Sequence, residues 1–324
     1  MGNHEDQHQD WVRLIEQAQD RISELVVETP VAVIFDEPER FGLAQVHLKL
    51  ENLQKTGSFK IRGAANKILS LSADTAARGV VTSSSGNHGL GIATAAQHRG
   101  IDAEIFLCPQ VSPQKHQWLQ KLGARIRLAG QSPLQAELAA RAAAAESGRT
   151  YISPYNDVLV VAGQGTIAVE LSRQVPRIDA VYVAVGGGGL ISGIGSYLTA
   201  RWPQTEVVGC WPENSRVMYE SLKAGRILEF PEQSTLSEST AGGVEPGSIT
   251  FSLCQKVVHR HVRVSETEIL EAMRWAQTRA WTLEGAAGVA IAACSKDAPR
   301  NAHKSVVIIC CGGNLSPEVA RQLS

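Results

Sequence analysis

The stretch Lys55-Thr56-Gly57-Ser58-Phe59-Lys60-Ile61-Arg62-Gly63-Ala64 decides how the chain is read. From Ile61 to Leu71 the apolar residues fall at Ile61, Ala64, Ala65, Ile68 and Leu69, the spacing of one helical face. Thr56-Gly57-Ser58 supplies turn chemistry and an N-cap just before that run. Lys60 is therefore predicted in the first turn of a helix, on a rigid support. There the positive end of the helix dipole and the start of a buried face both favour its neutral form. A neutral, rigidly held amine suits covalent chemistry with a carbonyl group. A lone lysine is ordinarily a solvated surface group, so the reading depends on what lies around it.

Just upstream, Gln45 to Leu50 alternates like a strand leading into the Lys60 turn. Earlier still, Trp11 to Leu25 reads as an amphipathic helix ended by Thr29-Pro30, and residues 1 to 10 read as disordered. Downstream, short apolar runs alternate with helical spacings. Strands are expected at Gly79–Thr82, Ala103–Leu107, Ala124–Leu128, Ala180–Val185, Glu206–Cys210 and Ser305–Ile309. Helices are expected at Leu90–His98, Pro113–Leu122, Leu134–Glu146, Gln164–Gln174, Leu190–Trp202 and Glu266–Arg279. This order implies an α/β fold with parallel sheets covered on both faces. The strands fall in two clusters, about 80 to 153 and 180 to 309, so two sheets are expected. A ligand between them would lie at the carboxyl ends of strands.

The bulk composition excludes several classes. The 324 residues are 44% hydrophobic and 19% charged with a net charge of −1, which suits a globular enzyme-sized chain. With no basic run, nucleic acid is not expected as a partner. No apolar run reaches membrane-spanning length, and the polar N-terminus carries no secretory signal. The six cysteines show no C-x-x-C spacing, which argues against a disulfide framework or zinc site and for a reducing cytoplasm.

Three phrases carry chemistry. Ser83-Ser84-Ser85-Gly86-Asn87-His88-Gly89 lies between a strand and a helix, where free N–H groups suit a carboxylate or phosphate; a plain capped helix would also explain it. Gly186-Gly187-Gly188-Gly189 follows another strand, and four successive glycines carry an entropic cost that close approach to a phosphate would offset. It is not a dinucleotide fingerprint, because Ser192 stands where the last glycine belongs when counting from Gly187. Cys310-Cys311-Gly312-Gly313-Asn314 ends an apolar strand and brings the Cys311 thiol to the same edge. That thiol is either a nucleophile with a histidine partner or, more simply, a small group touching a ligand. A lysine amine, a phosphate site and a carboxylate site are together what pyridoxal phosphate chemistry on an amino acid requires.

In these phrases the chain resembles the fold-type II pyridoxal-phosphate family of serine/threonine dehydratases and serine racemase. The resemblance runs over nearly the whole length after residue 20, through Leu50–Lys60, Ser84–Gly89, Ala162-Gly163-Gln164-Gly165-Thr166, the tetraglycine run and Gly312-Gly313-Asn314. It implies two open parallel-sheet domains of the tryptophan synthase β kind. Residues 1–78 and 157–324 would form the large cofactor-binding domain, and 79–156 a small mobile domain. By the family's pattern Lys60 carries pyridoxal phosphate, Phe59 packs beside it, and Asn87 bonds its phenolic oxygen. Gly186, Gly187, Gly188 and Gly189 would hold the phosphate and Cys311 would face the ring nitrogen. Ser84, Ser85, Gly86, Asn87 and His88 would hold the substrate carboxylate, and Ser85 matches the serine that racemases use as the second acid/base. The implied reaction is loss of water from a 3-hydroxy-L-amino acid, with racemisation as the alternative, in a cytoplasmic homodimer. Three positions depart from the pattern. Cys311 replaces Ser or Thr, and Gly242-Gly243 replaces Asp-Gly in the substrate loop, which opens the pocket to bulkier substrates. Trp211 and Val217 stand where some relatives hold a divalent metal, so no metal site is expected. A phenylserine dehydratase or a hydroxyectoine-utilisation dehydratase is the implied branch.

Overall fold

The computed structural model describes residues 2–34, 37–42, 44–111 and 113–323. The strands are β1 (Val31–Ile34), β2 (Gln45–Leu50), β3 (Val80–Ser83), β4 (Ala103–Leu107), β5 (Arg125–Leu128), β6 (Thr150–Tyr151), β7 (Ala180–Ala184), β8 (Glu206–Pro212), β9 (Arg260–Val264) and β10 (Ser305–Cys310). They form two sheets, a six-stranded one in the order β1-β2-β10-β7-β8-β9 and a four-stranded one in the order β5-β4-β3-β6. All neighbours are parallel except β1 and β2. The central strands β7 and β10 are buried along their whole length, as parallel strands covered on both faces should be. The two-sheet α/β reading and its fold class therefore stand.

The helices are α1 (Gly2–Ile22), α2 (Pro38–Phe41), α3 (Lys60–Leu69), α4 (Ala73–Arg78), α5 (Asn87–Arg99), α6 (Pro113–Lys121), α7 (Pro133–Ser147), α8 (Val158–Gln174), α9 (Gly189–Arg201), α10 (Val217–Ala224), α11 (Ile249–Val257), α12 (Glu266–Gln277), α13 (Gly285–Lys296) and α14 (Pro317–Leu323). The expectation of disorder over residues 1 to 10 is corrected, because α1 already begins at Gly2. The N-cap expected from Thr56-Gly57-Ser58 is corrected too. Phe59 occupies the cap position of α3 with helical dihedrals and no side-chain cap bond.

The middle of α8 fixes the relative placement of the helices that matter. A Cβ on Gly163 would meet Arg62 O at 2.6 Å, so α3 packs directly on the α8 backbone. A Cβ on Gly193 would meet Val161 O at 2.4 Å, so α9 does the same on another side. Gln164 completes the joint, its Oε1 accepting from Gly63 N–H at 3.2 Å. The phrase Ala162–Thr166 thus sets the starts of α3 and α9 at fixed positions.

Beneath that joint lies a fully buried ionic cluster. Arg62 donates to both oxygens of Glu51 at 2.7 and 2.8 Å and to both oxygens of Glu170 at 2.6 and 2.8 Å. Lys49 on β2 completes it, donating to Glu170 at 2.5 Å and to Thr29 O at 2.6 Å. Two cations and two anions cancel, and every hydrogen-bonding direction of the guanidinium is turned toward an acceptor, the condition under which buried charge is tolerated. Arg62 is two residues from Lys60, so the cluster anchors the first turn of α3 to β2 and α8.

Candidate active site

The carboxyl ends of β10 and β7 open on a cavity of about 150 Å³. Its walls include Phe59, Lys60, Pro154 and Tyr155, the four glycines 186–189, the loop Ser239–Gly243, and Cys311. The Lys60 turn is stitched to the end of β10. Phe59 N–H donates to Cys311 O at 3.0 Å, Gly313 N–H to Gly57 O at 2.9 Å, and Asn314 Nδ2 to Thr56 O at 2.8 Å. Gly57 has φ +74°, and a Cβ there would lie 2.5 Å from Asn314 Oδ1, so this turn accepts only glycine. Two phrases far apart in sequence are one structural unit.

Lys60 Nζ donates to Pro154 O at 2.9 Å. Burial pushes its pKa down to about 8, against the opposing pull of Glu284 and Cys311. A usable fraction of neutral amine therefore exists near neutrality, as carbonyl chemistry requires.

Four helices at the site start without a side-chain cap. They are α3 at Phe59, α5 at Gly86, α9 at Gly188 and α13 at Glu284. By contrast Ser72, Ser132, Asp157 and Ser265 cap α4, α7, α8 and α12 with their side chains. Uncapped starts leave N–H groups for an external anion, and those of α9 adjoin the cavity. The glycine run also has a packing reason. A Cβ on Gly187 would lie 2.4 Å from the Tyr155 ring, and one on Gly186 would lie 2.8 Å from Thr240 Cα. Gly188 takes φ +84°. The backbone is thereby held open between Tyr155 and Thr240.

The 84–88 loop lies beside the cavity but not in its wall. Asn87 is the link: its Nδ2 donates to Glu284 Oε2 at 2.8 Å, and its Oδ1 accepts from Asn314 Nδ2 at 2.7 Å. The side chain of His88 is committed within the protein. Its ring is buried against the Ile152 carbonyl, with Nε2 at 3.1 Å. Burial and then the Lys60 charge push its pKa down to about 3, so it stays neutral and pins α5 to the segment after β6. Only its backbone N–H can serve an anion.

Glu284 escaped the sequence reading altogether. Its carboxyl accepts from Asn87 and from Ser239 Oγ at 2.7 Å, and Cys311 Sγ lies 3.9 Å from it. Burial raises its pKa, an effect that Asn87, Ser239 and Lys60 oppose. Burial and then the charge of Glu284 push the Cys311 thiol well up, so Cys311 remains protonated and is not a nucleophile. Leu283-Glu284-Gly285 has no spacing signature that could have revealed this. Tyr155 was missed for the same reason.

These residues fit pyridoxal phosphate: an amine of lowered pKa, uncapped helix starts for its phosphate and for an amino acid carboxylate, and a neutral thiol at the sheet edge. The site and fold define a fold-type II pyridoxal-phosphate enzyme. The chain belongs to the family of pyridoxal-phosphate dependent enzymes, whose model matches residues 22–312. It is 40% identical over 303 residues to the L-threonine ammonia-lyase of Thermotoga maritima, covering 93% of this chain and 75% of that protein. Its fold matches threonine deaminase isoform 2 of Solanum lycopersicum with TM-score 0.93 at 28% identity, over 98% of this chain and 93% of that one. It also matches maize serine racemase with TM-score 0.90 at 31% identity, over 96% and 95% of the two chains.

Proposed function

We propose that the protein removes water from a 3-hydroxy-L-amino acid to give a 2-oxo acid and ammonia. The observation that carries the reading is the Lys60 amine, lowered to about 8, set against the uncapped glycine-rich start of α9. The likeness to an L-threonine ammonia-lyase and a threonine deaminase supports elimination as the outcome. When bound, pyridoxal phosphate supplies the electron sink that acidifies the α-carbon. Lys60 would hold the cofactor through its amine, and as a free amine it is the base that would take the α-proton. Phe59 would flank the ring, Gly186–Gly189 would hold the phosphate, Asn87 would meet the phenolic oxygen and Cys311 the ring nitrogen. A neutral thiol would donate no full proton there, which would favour elimination over transamination. Backbone N–H groups of Ser84–His88 orient the substrate carboxylate. Residues 79–156, which carry the four-stranded sheet, act as a small domain over the rest, 1–78 and 157–324. The working form is a cytoplasmic homodimer.

The substrate side chain faces Gly242-Gly243. No atom lies within 4 Å of where a Cβ of either would stand, which supports a 3-hydroxyamino acid bulkier than threonine, such as phenylserine. The competing reading is racemisation with Ser85 as the opposite-face acid/base, supported by the likeness to maize serine racemase. A panel of L-serine, L-threonine and phenylserine, scored for 2-oxo acid and for inversion, decides. Phenylserine should exceed L-threonine in kcat/KM by at least the roughly 10–200-fold that one methylene is worth in such a pocket. L-Threonine as the best substrate would refute the pocket reading, and inversion without 2-oxo acid would refute elimination.

A further inference from the structure

Glu245 lies outside the cavity wall, yet it holds the elements that make the wall. Its N–H donates to Tyr155 Oη at 2.9 Å, and its carboxylate accepts from Asn156 Nδ2 at 2.9 Å. The same oxygen pairs with Arg141 of α7 at 2.9 Å. Asn156 Oδ1 in turn accepts from Ile249 N–H at 3.0 Å, at the start of α11. The neighbours of these groups are the site itself. Tyr155 stands against Gly187 and Gly189, Pro154 takes the Lys60 amine, and Gly242-Gly243 lie three and two residues before Glu245.

Arg141 belongs to the other sheet. Its helix α7 packs on β3, β4 and β6. Glu137 holds the guanidinium at 2.8 and 3.0 Å, and it lies 4.3 Å over the Tyr151 ring. The Arg141–Glu245 pair thus bridges the four-stranded sheet to the loop that walls the site. The two side chains are 33% and 28% exposed, so salt can reach the pair. A pair of that exposure shifts an equilibrium by about two- to fivefold. That is weak for a permanent joint and suited to one made and broken in each turnover.

We propose that Glu245 is a positioning residue and that its ion pair with Arg141 latches the small sheet over the amino acid subsite. The latch deepens the function proposed above and rests on it for the substrate. With the latch made, Tyr155 and Pro154 hold the glycine run and the lysine in register while Gly242-Gly243 face the substrate. With it broken, only the hydrogen bonds of Tyr155 and Asn156 hold the segment 153–156 to 245–249, and the substrate side loosens.

The test uses the holoenzyme and the variants Arg141→Met and Arg141→Lys. Arg141→Met should raise KM for the best 3-hydroxyamino acid about two- to fivefold with kcat changed by less than about twofold, and Arg141→Lys should recover most of the loss. KM of the unaltered enzyme should rise with added KCl, and that of Arg141→Met should not. Hydrogen exchange without substrate gives a readout independent of the reaction. The amides of Glu245 and Ile249 should exchange faster in Arg141→Met. Unchanged exchange there overturns the latch. So does a KM increase that Arg141→Lys fails to reverse and that leaves the salt dependence intact, since stacking on Tyr151 would then be the cause. If no 3-hydroxyamino acid is turned over, the substrate reading fails and the exchange result alone decides the latch.

Discussion

Replacing Arg62 by Met removes one cation from a buried set of four charges and leaves Glu51 and Glu170 with Lys49 alone. The guanidinium makes four hydrogen bonds of 2.6–2.8 Å to those carboxylates and a fifth to Thr166 Oγ1 at 3.0 Å. All four charged groups are sealed from water. Deleting one member of such a set costs about 3–5 kcal/mol, most of it the uncompensated charge left behind. With an m-value of about 3 kcal/mol/M, the urea midpoint should fall by about 1–2 M. Fluorescence of the core tryptophans Trp211 and Trp275 reports the transition. The pH dependence has a definite sign. Burial would raise the Glu51 pKa, but Arg62 outweighs it and holds the group below the usual carboxylate range. Its stabilising contribution is therefore complete above the unfolded value of about 4.3 and is lost as pH falls through the lower folded value. In Arg62→Met that contribution is gone, so the gap between variant and unaltered protein should narrow as pH drops below about 4. A loss under 1 kcal/mol at pH 7, or a gap that widens in acid, would refute the view that this cluster anchors α3.

Three further outcomes follow from the site. Capture of pyridoxal phosphate by the apoenzyme, followed by stopped-flow absorbance, should accelerate with pH through about 8, because the neutral Lys60 amine is the nucleophile; a rate flat from pH 6 to 9 would contradict this. Cys311→Ser should retain elimination within about tenfold, since a hydroxyl can also serve as a neutral partner; an inactive variant that still binds cofactor would give the thiol a chemical role. Activity should survive EDTA, because the buried Trp211 and Val217 offer no oxygen ligands; loss restored by Mg²⁺ would reveal a metal site elsewhere.

What the sequence made legible follows from its physics. Parallel strands buried on both faces read as plain apolar runs, so β3, β4, β7, β8 and β10 were visible. The helix α13, Gly285–Lys296, was not, because its Gly and Ala residues are buried nearly all round and show no amphipathic stripe. The short β1 and the edge strand β9, with its half-buried Arg260 and exposed His261 and Arg263, carried too little apolar pattern to stand out. Glycine-rich turns marked Lys60, Gly86 and the 186–189 run because such turns are unusual in any chain. Glu284, Tyr155 and Glu245 were illegible for another reason. Each acts through residues distant in sequence, and only the fold brings Glu284 to Asn87 or Glu245 to Arg141.

The central claim is that Lys60 carries the cofactor. Reduction of the holoenzyme with borohydride, followed by peptide mapping, tests it most directly. The account predicts a pyridoxyl group on Lys60 and none on Lys55 or Lys67, with the cofactor chromophore lost in Lys60→Ala. A label on another lysine, or cofactor binding that survives Lys60→Ala with its covalent signature intact, would contradict it.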